Sequence, residues 1–163
     1  MPQSGQAWAL SAEGAGMTSL VFRAGSLLCA IGLDEVVETM RPLETRPLAG
    51  TPAFVLGISV LRGVPTPVID VARLLGGGPA EPERYVAVRT ERGAMALATG
   101  VILGIRAIDA EAPGGHPALL AGGNSRLVAG VATIGAEPLL LLQSMRAVPD
   151  EVWEAAAAAG VPS

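Results

Sequence analysis

The sequence predicts an all-β protein with minor α content: two small β-barrels, a short helix after Asp70 and a C-terminal helix. Three observations predict it. From Thr18 onward, short apolar runs recur between turn residues. The stretch Gly57–Asp70 is echoed without a gap by Gly130–Gln143, which shares a leading glycine (Gly57, Gly130), a proline (Pro65, Pro138) and an apolar triplet closing at Asp70 or Gln143. Of the 163 residues 50% are hydrophobic and 16% charged, with 21 Gly and 13 Pro, a balance that excludes disorder and suits many short packed elements.

Residues 1–17 are small and polar without periodicity and read as a tail. Leu20-Val21-Phe22, the turn Ala24-Gly25-Ser26 and Leu27–Ile31 predict a hairpin. Leu33–Met40 follows; its Val36-Val37 pair favours strand, with a short helix as the alternative. Pro42, Pro47 and Pro52 make 41–52 a winding loop. Ala53–Leu61 is expected as part helix and part strand, pausing at Arg62-Gly63. Pro65 and Pro67 are expected to bracket a bend before the short strand Pro67-Val68-Ile69. Asp70 stands where an N-cap would, ahead of Val71–Leu75, and Gly76-Gly77-Gly78-Pro79 ends that helix and opens a linker over 76–84.

The second half repeats the plan. Tyr85–Thr90, Arg92-Gly93 and Ala94–Ala98 predict a hairpin, Val101–Ile108 a strand, and Ala110–Asn124 a long loop. Arg126–Ile134 and Pro138–Gln143 read as two more strands. Pro149-Asp150-Glu151 opens a terminal helix with acids in its first turn, carried by Ala155–Ala159 and stopped at Gly160. The organisation expected is a tail over 1–17, a domain over 18–148 and a helix with tail over 149–163.

Several function classes drop out on composition. All eleven basic residues are arginines, scattered and outnumbered by fifteen acids, and only five residues are aromatic, which argues against nucleic acid as a partner. No apolar stretch approaches the roughly 20 residues of a membrane span, and the N-terminus has no secretory pattern, so the expected location is the cytoplasm. One cysteine, Cys29, excludes a disulfide framework; placed in an apolar strand, it reads as inert packing. The lone His116 sits between Gly115 and Pro117 in the long loop, and the four aspartates at 34, 70, 109 and 150 lie far apart. Gly76-Gly77-Gly78 lacks the Lys and Ser/Thr of a phosphate loop and follows a helix rather than opening one. No catalytic set, metal or cofactor is expected.

The informative segment runs from Thr51-Pro52-Ala53-Phe54 through Gly57 and Leu61-Arg62-Gly63 to Pro67-Val68-Ile69-Asp70. Arg62 is the only charge between Arg46 and Asp70. It is either a turn arginine, solvated or paired with a nearby acid, or a guanidinium fork on the rim of an apolar interface.

These residues resemble the central motif of the CheW-like domain of bacterial chemosensory systems, roughly P-x-x-x-x-G-x-x-N-L-R-G-x-x-x-P-V-I-D-L. Val21-Phe22, Ala30-Ile31 and Val36-Val37-Glu38 are similar to its opening strands, and Gly130–Leu142 to its closing ones, so the resemblance spans about 20–148. Val60 stands in place of the motif's asparagine, Ala98-Thr99 in place of a Val-Asp pair, and Gln143 after the last strand. The resemblance implies two SH3-like five-stranded barrels around a shared core, and a non-enzymatic adaptor between the cytoplasmic tip of methyl-accepting chemoreceptors and the regulatory domain of a CheA-type histidine kinase. The receptor tip would lie beside the first barrel and the kinase domain against the second. It places Val36, Val37, Gly57, Arg62 and Gly63 near the receptor surface. Alternatives are a barrel holding a small apolar ligand, a related regulator in a pathway other than motility, and an enzyme built on carboxylates around His116. An apolar content above what two small barrels need points to exposed docking patches.

Overall fold

The computed structural model of the protein describes residues 16–78, 80–111, 127–143 and 148–159. Residues 1–15 of the tail expected over 1–17, His116 with most of its loop, and the stop at Gly160 lie outside the described residues.

Among the described residues ten strands and two helices follow one another: β1 (Met17–Ala24), β2 (Leu27–Gly32), β3 (Val36–Met40), β4 (Val55–Leu61), β5 (Val64–Asp70), α1 (Val71–Leu74), β6 (Arg84–Thr90), β7 (Gly93–Thr99), β8 (Ile102–Ile108), β9 (Val128–Ile134), β10 (Glu137–Leu142) and α2 (Asp150–Ala159). A 3-10 turn, Leu33–Glu35, precedes β3, so both alternatives for Leu33–Met40 occur in succession. Asp70 caps α1, its carboxylate accepting from the Arg73 amide at 3.4 Å.

Two expectations are corrected. Ala53–Leu61 contains no helix; β4 occupies Val55–Leu61. Pro65 and Pro67 do not bracket a bend but lie inside β5, opposite Val60 and Ile58. Spaced two apart, both prolines turn their donorless nitrogens to the same edge. They precede Val68–Asp70, the part of β5 that pairs with β7, so no ladder bond is lost there. The strand also starts one residue inside the predicted tail, at Met17.

The strands form two five-stranded sheets, here called A (β8-β1-β2-β10-β9) and B (β3-β6-β7-β5-β4). Their orders are equivalent, as the sequence echo requires, but the two halves exchange hairpins. The first hairpin, β1–β2, sits between β8 and β10 of the second half, while β6–β7 sits between β3 and β5 of the first. The 76–84 segment therefore joins two strands of sheet B, β5 and β6, that lie on either side of β7. The equivalence extends to irregularities. The β3–β6 register skips Val37, and the β1–β8 register skips Leu103. The β4–β5 and β9–β10 registers likewise skip Leu56 and Ala129.

Each sheet curls until its edges meet. The chain beyond β3 bonds back to β4 through Arg46 and Ile58, with N–H···O distances of 2.8 and 2.9 Å; beyond β8, Glu111 and Val131 do the same at 2.8 Å both ways. At these closures stand Gly57 and Gly130. A Cβ on Gly57 would lie 2.1 Å from the Arg46 carbonyl oxygen, and one on Gly130 would lie 2.8 Å from Ala110 Cβ. The paired glycines of the echo are the residues over which each barrel closes. Near the first closure Tyr85 Oη and Ser59 Oγ each lie 2.7 Å from Thr45 Oγ1, and Ser59 donates to the Glu44 carbonyl at 2.9 Å, which holds the closing segment in place.

Alternate residues of the central strands face different cores. Val21, Leu28, Ala30, Leu139 and Leu141 fill barrel A, and Val68, Tyr85, Ala96 and Ala98 fill barrel B. Their neighbours Phe22, Cys29, Ile31, Ile69, Val86, Val88, Met95 and Leu140 meet in one core between the sheets, which Val152 and Ala156 of α2 join. Arg92 bonds Asp150 at 2.6 Å and its guanidinium lies 6.0 Å from the Trp153 ring, fastening α2 to the β6–β7 turn.

Two outcomes follow. Gly57→Ala is expected to cost about 4 kcal/mol or more, because backbone rather than a movable side chain fills the space, whereas Gly63→Ala, with φ +80° and open space around it, costs about 1–2 kcal/mol; urea unfolding of both variants checks the order. Burial pushes the Cys29 thiol up to about 12, so it stays protonated at pH 8. Maleimide labelling at that pH should follow global unfolding, and fast labelling of the folded protein would contradict the buried placement.

Candidate functional site

The turn between β4 and β5 has two residues, Arg62 (φ +51°) and Gly63 (φ +80°), the pair of positive angles that a type I′ turn needs. Glycine takes the second position without cost. Arginine in the first does not, and among the described residues Arg62 is the only non-glycine with positive φ. The equivalent turn of sheet A has Gly135 there.

From this position the Arg62 side chain reaches across to β3. Its Nε donates to Glu38 Oε2 at 2.6 Å and its Nη2 to Oε1 at 2.9 Å, a bidentate fork. The turn-arginine expectation is met: Arg62 is exposed at a turn and paired with an acid. The Arg62 hydrogen bonds hold the Glu38 carboxyl below the ordinary carboxylate range, against a smaller opposing effect of burial. Glu38 and Met40 share the face of β3 that looks into barrel B, so the ion pair spans the mouth of that barrel.

Exposed apolar side chains surround the pair. Val37 is bulged out of β3 and 47% exposed, and Val60 and Val64 flank the turn at 65% and 58%. Val60 occupies the place of the motif's asparagine and shows solvent a valine. Val36 turns inward and packs against the shared core. Gly57 is buried beneath Arg46 and Pro47 and shapes the surface only from below, while Gly63 is exposed beside Arg62. Of the five residues selected from the sequence, Val37, Arg62 and Gly63 form one surface, with Val36 and Gly57 behind it.

A second surface lies on sheet A. Its outer strand β8 carries Leu103, bulged at the position equivalent to Val37 and 50% exposed, with Ile105 and Val101 exposed beside it. Here too an ion pair stands at the barrel mouth: Arg23 of β1 grips Glu137 of β10 with two hydrogen bonds, one from Nη2 to Oε1 at 2.9 Å. Those bonds lower the Glu137 carboxyl in the same way. Sequence reasoning passed over β8 because its run of apolar residues reads as ordinary strand; the alternation Val101, Leu103, Ile105 was the available signal. The partner of Arg62 was equally hidden, since 24 residues separate it from Glu38.

Among the described residues no three His, Cys, Asp or Glu side chains gather as a metal site, and no helix is long and apolar enough to cross a membrane.

Comparisons with known proteins agree with this geometry. The family model of the CheW-like domain matches residues 18–151. Protein FrzA of Myxococcus xanthus is 37% identical over 59 residues, a segment that makes up 36% of this chain and 37% of FrzA, so well under two thirds of that relative is spanned. The crystal structure of the scaffolding protein TtCheW from Thermoanaerobacter tengcongensis superposes with a TM-score of 0.69, over 81% of this chain and 92% of that one, at 22% identity, which speaks for a shared fold.

Replacing Arg62 with glycine tests whether the turn is kept for stability. Arg62→Gly relieves a strain of about 1 kcal/mol and removes an exposed ion pair that contributes little, so the variant should be as stable as the parent or more so at pH 7. The pair helps only while Glu38 is charged, above its lowered folded pKa. The variant's relative advantage should therefore grow as pH falls through the acidic range. Urea midpoints at pH 7 and in acid check this, and a clearly destabilised variant would mark the turn as structural.

Proposed function

The chain belongs to the CheW-like domain family, and we propose on that premise that it is a non-enzymatic adaptor in chemosensory signalling. In this reading it couples the cytoplasmic tip of a methyl-accepting chemoreceptor to the regulatory domain of a CheA-type histidine kinase, working in the cytoplasm at membrane-associated receptor arrays. The observation that carries the proposal is the pair of exposed apolar surfaces, each on the outer edge of a different sheet and each set beside an Arg–Glu fork. A coupling protein needs two faces that can be occupied at once, and one shared core fixes these two relative to each other.

The receptor is assigned to the surface of Val37, Arg62 and Gly63 on barrel B, and the kinase domain to the β8 side of barrel A. Apolar centres edged by arginine are the usual anatomy of interface hot spots. Affinity would then come from a few side chains, Val37 and Arg62 on one face and Leu103 on the other, rather than from total area. An adaptor of this kind requires no cofactor.

Arg62→Glu places a carboxylate beside Glu38 and breaks the fork without touching the core. Receptor-tip binding is expected to fall at least tenfold, with the melting temperature nearly unchanged. Undiminished ternary assembly with kinase and receptor fragments in a pull-down would remove Arg62 from the interface. As a contrast, Ile69→Asp buries an unpaired charge in the shared core and should unfold the domain.

A further inference from the structure

The ladder that closes barrel B stops after one rung. Arg46 and Ile58 exchange both backbone hydrogen bonds, so Ile58 turns its N–H and C=O away from β5. Alternate residues of an antiparallel strand direct these groups to the same edge, and Val60 presents its own pair outward beside Ile58. Continued in register, the ladder would set Glu44 opposite Val60. The Glu44 carbonyl instead accepts from Ser59 Oγ at 2.9 Å. Among the described residues the Val60 amide and carbonyl are left without a partner. Where the two segments part, a cavity of about 540 Å³ opens. Leu48, Ile58, Val60 and Pro65 give it an apolar wall, and the exposed Glu44 and Arg46 bring one charge of each sign. Neither takes part in an ion pair among the described residues. In barrel A the equivalent of Val60 is Thr133, opposite Pro138 as Val60 is opposite Pro65. The fold therefore accepts a polar residue here, yet this edge shows solvent a valine that is 65% exposed.

We infer that the open edge of β4 is a docking place for an extended segment of another protein, which adds a strand at Val60 and seats apolar side chains in the cavity. The occupant follows from the groups it must meet. A donor and an acceptor side by side on a strand edge match the backbone of an extended chain. A helix has its backbone groups engaged within itself, and a purely apolar ligand would leave those of Val60 unmet. Charge narrows the choice further: Arg46 calls for an acid on the segment and Glu44 for a base, with apolar residues between them, so a tail of one charge sign is disfavoured. An unprotected strand edge invites such pairing. The site stands apart from the adaptor reading, because it names a way of recognising polypeptide at a place that neither of the two assigned surfaces uses.

Amide hydrogen exchange of the full chain is the first measurement. Val60 should exchange at least tenfold faster than Ile58 at every protein concentration. A Val60 amide protected in dilute protein means that another part of this chain holds the edge, and protection that rises with concentration means that a second copy does; either result overturns the site. A random twelve-residue peptide library is then selected on the chain. Selected peptides should carry alternating apolar residues flanked by an acid and a base, and should slow Val60 exchange at least tenfold. N-methylation of alternate amides, in the two possible frames, gives two probes from each peptide. One frame should lose at least tenfold in affinity and the other stay within twofold, since only every second amide of an added strand bonds to the edge. Equal effects in both frames, or a selection that yields no peptide, overturn the site. Val60→Pro removes the outward N–H and no bond of the β4–β5 ladder, so it should weaken peptide binding at least tenfold while Ile58 stays protected. Unweakened binding by this variant overturns the site, and should the proline unfold the chain, the two methylated probes decide the question on the parent.

Discussion

A strand buried on both faces has no side left for polar residues, and the central strands of both sheets are of this kind. Val21 and Phe22, Leu28 and Cys29, Leu139 and Leu140 turn alternately into a barrel and into the core between the barrels. Such strands read as continuous apolar runs, and the composition follows: half the sequence is hydrophobic because three cores are filled by ten short strands. The arrangement depends on each sheet curling tightly enough to enclose an interior. That depends in turn on a backbone-to-backbone approach at two places, over Gly57 and over Gly130, where no side chain of any size fits.

This modifies the inference from composition. The apolar excess first suggested broad docking patches. Most of it is absorbed by the shared core, and among the described residues the large apolar side chains left outside are Met17, Val37, Val60, Val64, Val101, Leu103 and Ile105. They lie on strand edges, at bulges and beside a hairpin turn, where an adaptor would be expected to meet other proteins.

Local elements were legible in the sequence because local chemistry decides them. Gly25 announced the first turn, Asp70 the cap of α1, and Pro149-Asp150-Glu151 the start of α2. The prolines of β5 were misread for an instructive reason: proline disturbs a strand only on the side where its missing N–H would have been used, and which side is used depends on the neighbouring strand. The exchange of hairpins was hidden for the same reason. The echo of Gly57–Asp70 in Gly130–Gln143 showed that two equivalent units exist, but nothing in one hairpin says which unit it joins. At the site, Arg62 stood out as an isolated charge, whereas Glu38 and Leu103 gained meaning only from a fork across the barrel mouth and a skipped residue in the β8 register.

The contrast between equivalent positions separates folding from function. Where the two barrels agree, at Gly57 and Gly130, Pro65 and Pro138, or the four bulges, the shared feature serves closure and curvature that both barrels need. Where they differ, the fold places no demand, so another pressure has chosen the residue. Gly135 satisfies its turn without strain, yet the equivalent Arg62 holds a positive φ that costs stability. Met40 packs against the interior of its barrel, while the equivalent Arg106 lines a cavity. Barrel B thus gives up local stability at an arginine on its open end, on one of the surfaces that an adaptor would offer to a partner. A duplicated scaffold that only needed to fold would have kept the cheaper residue in both copies.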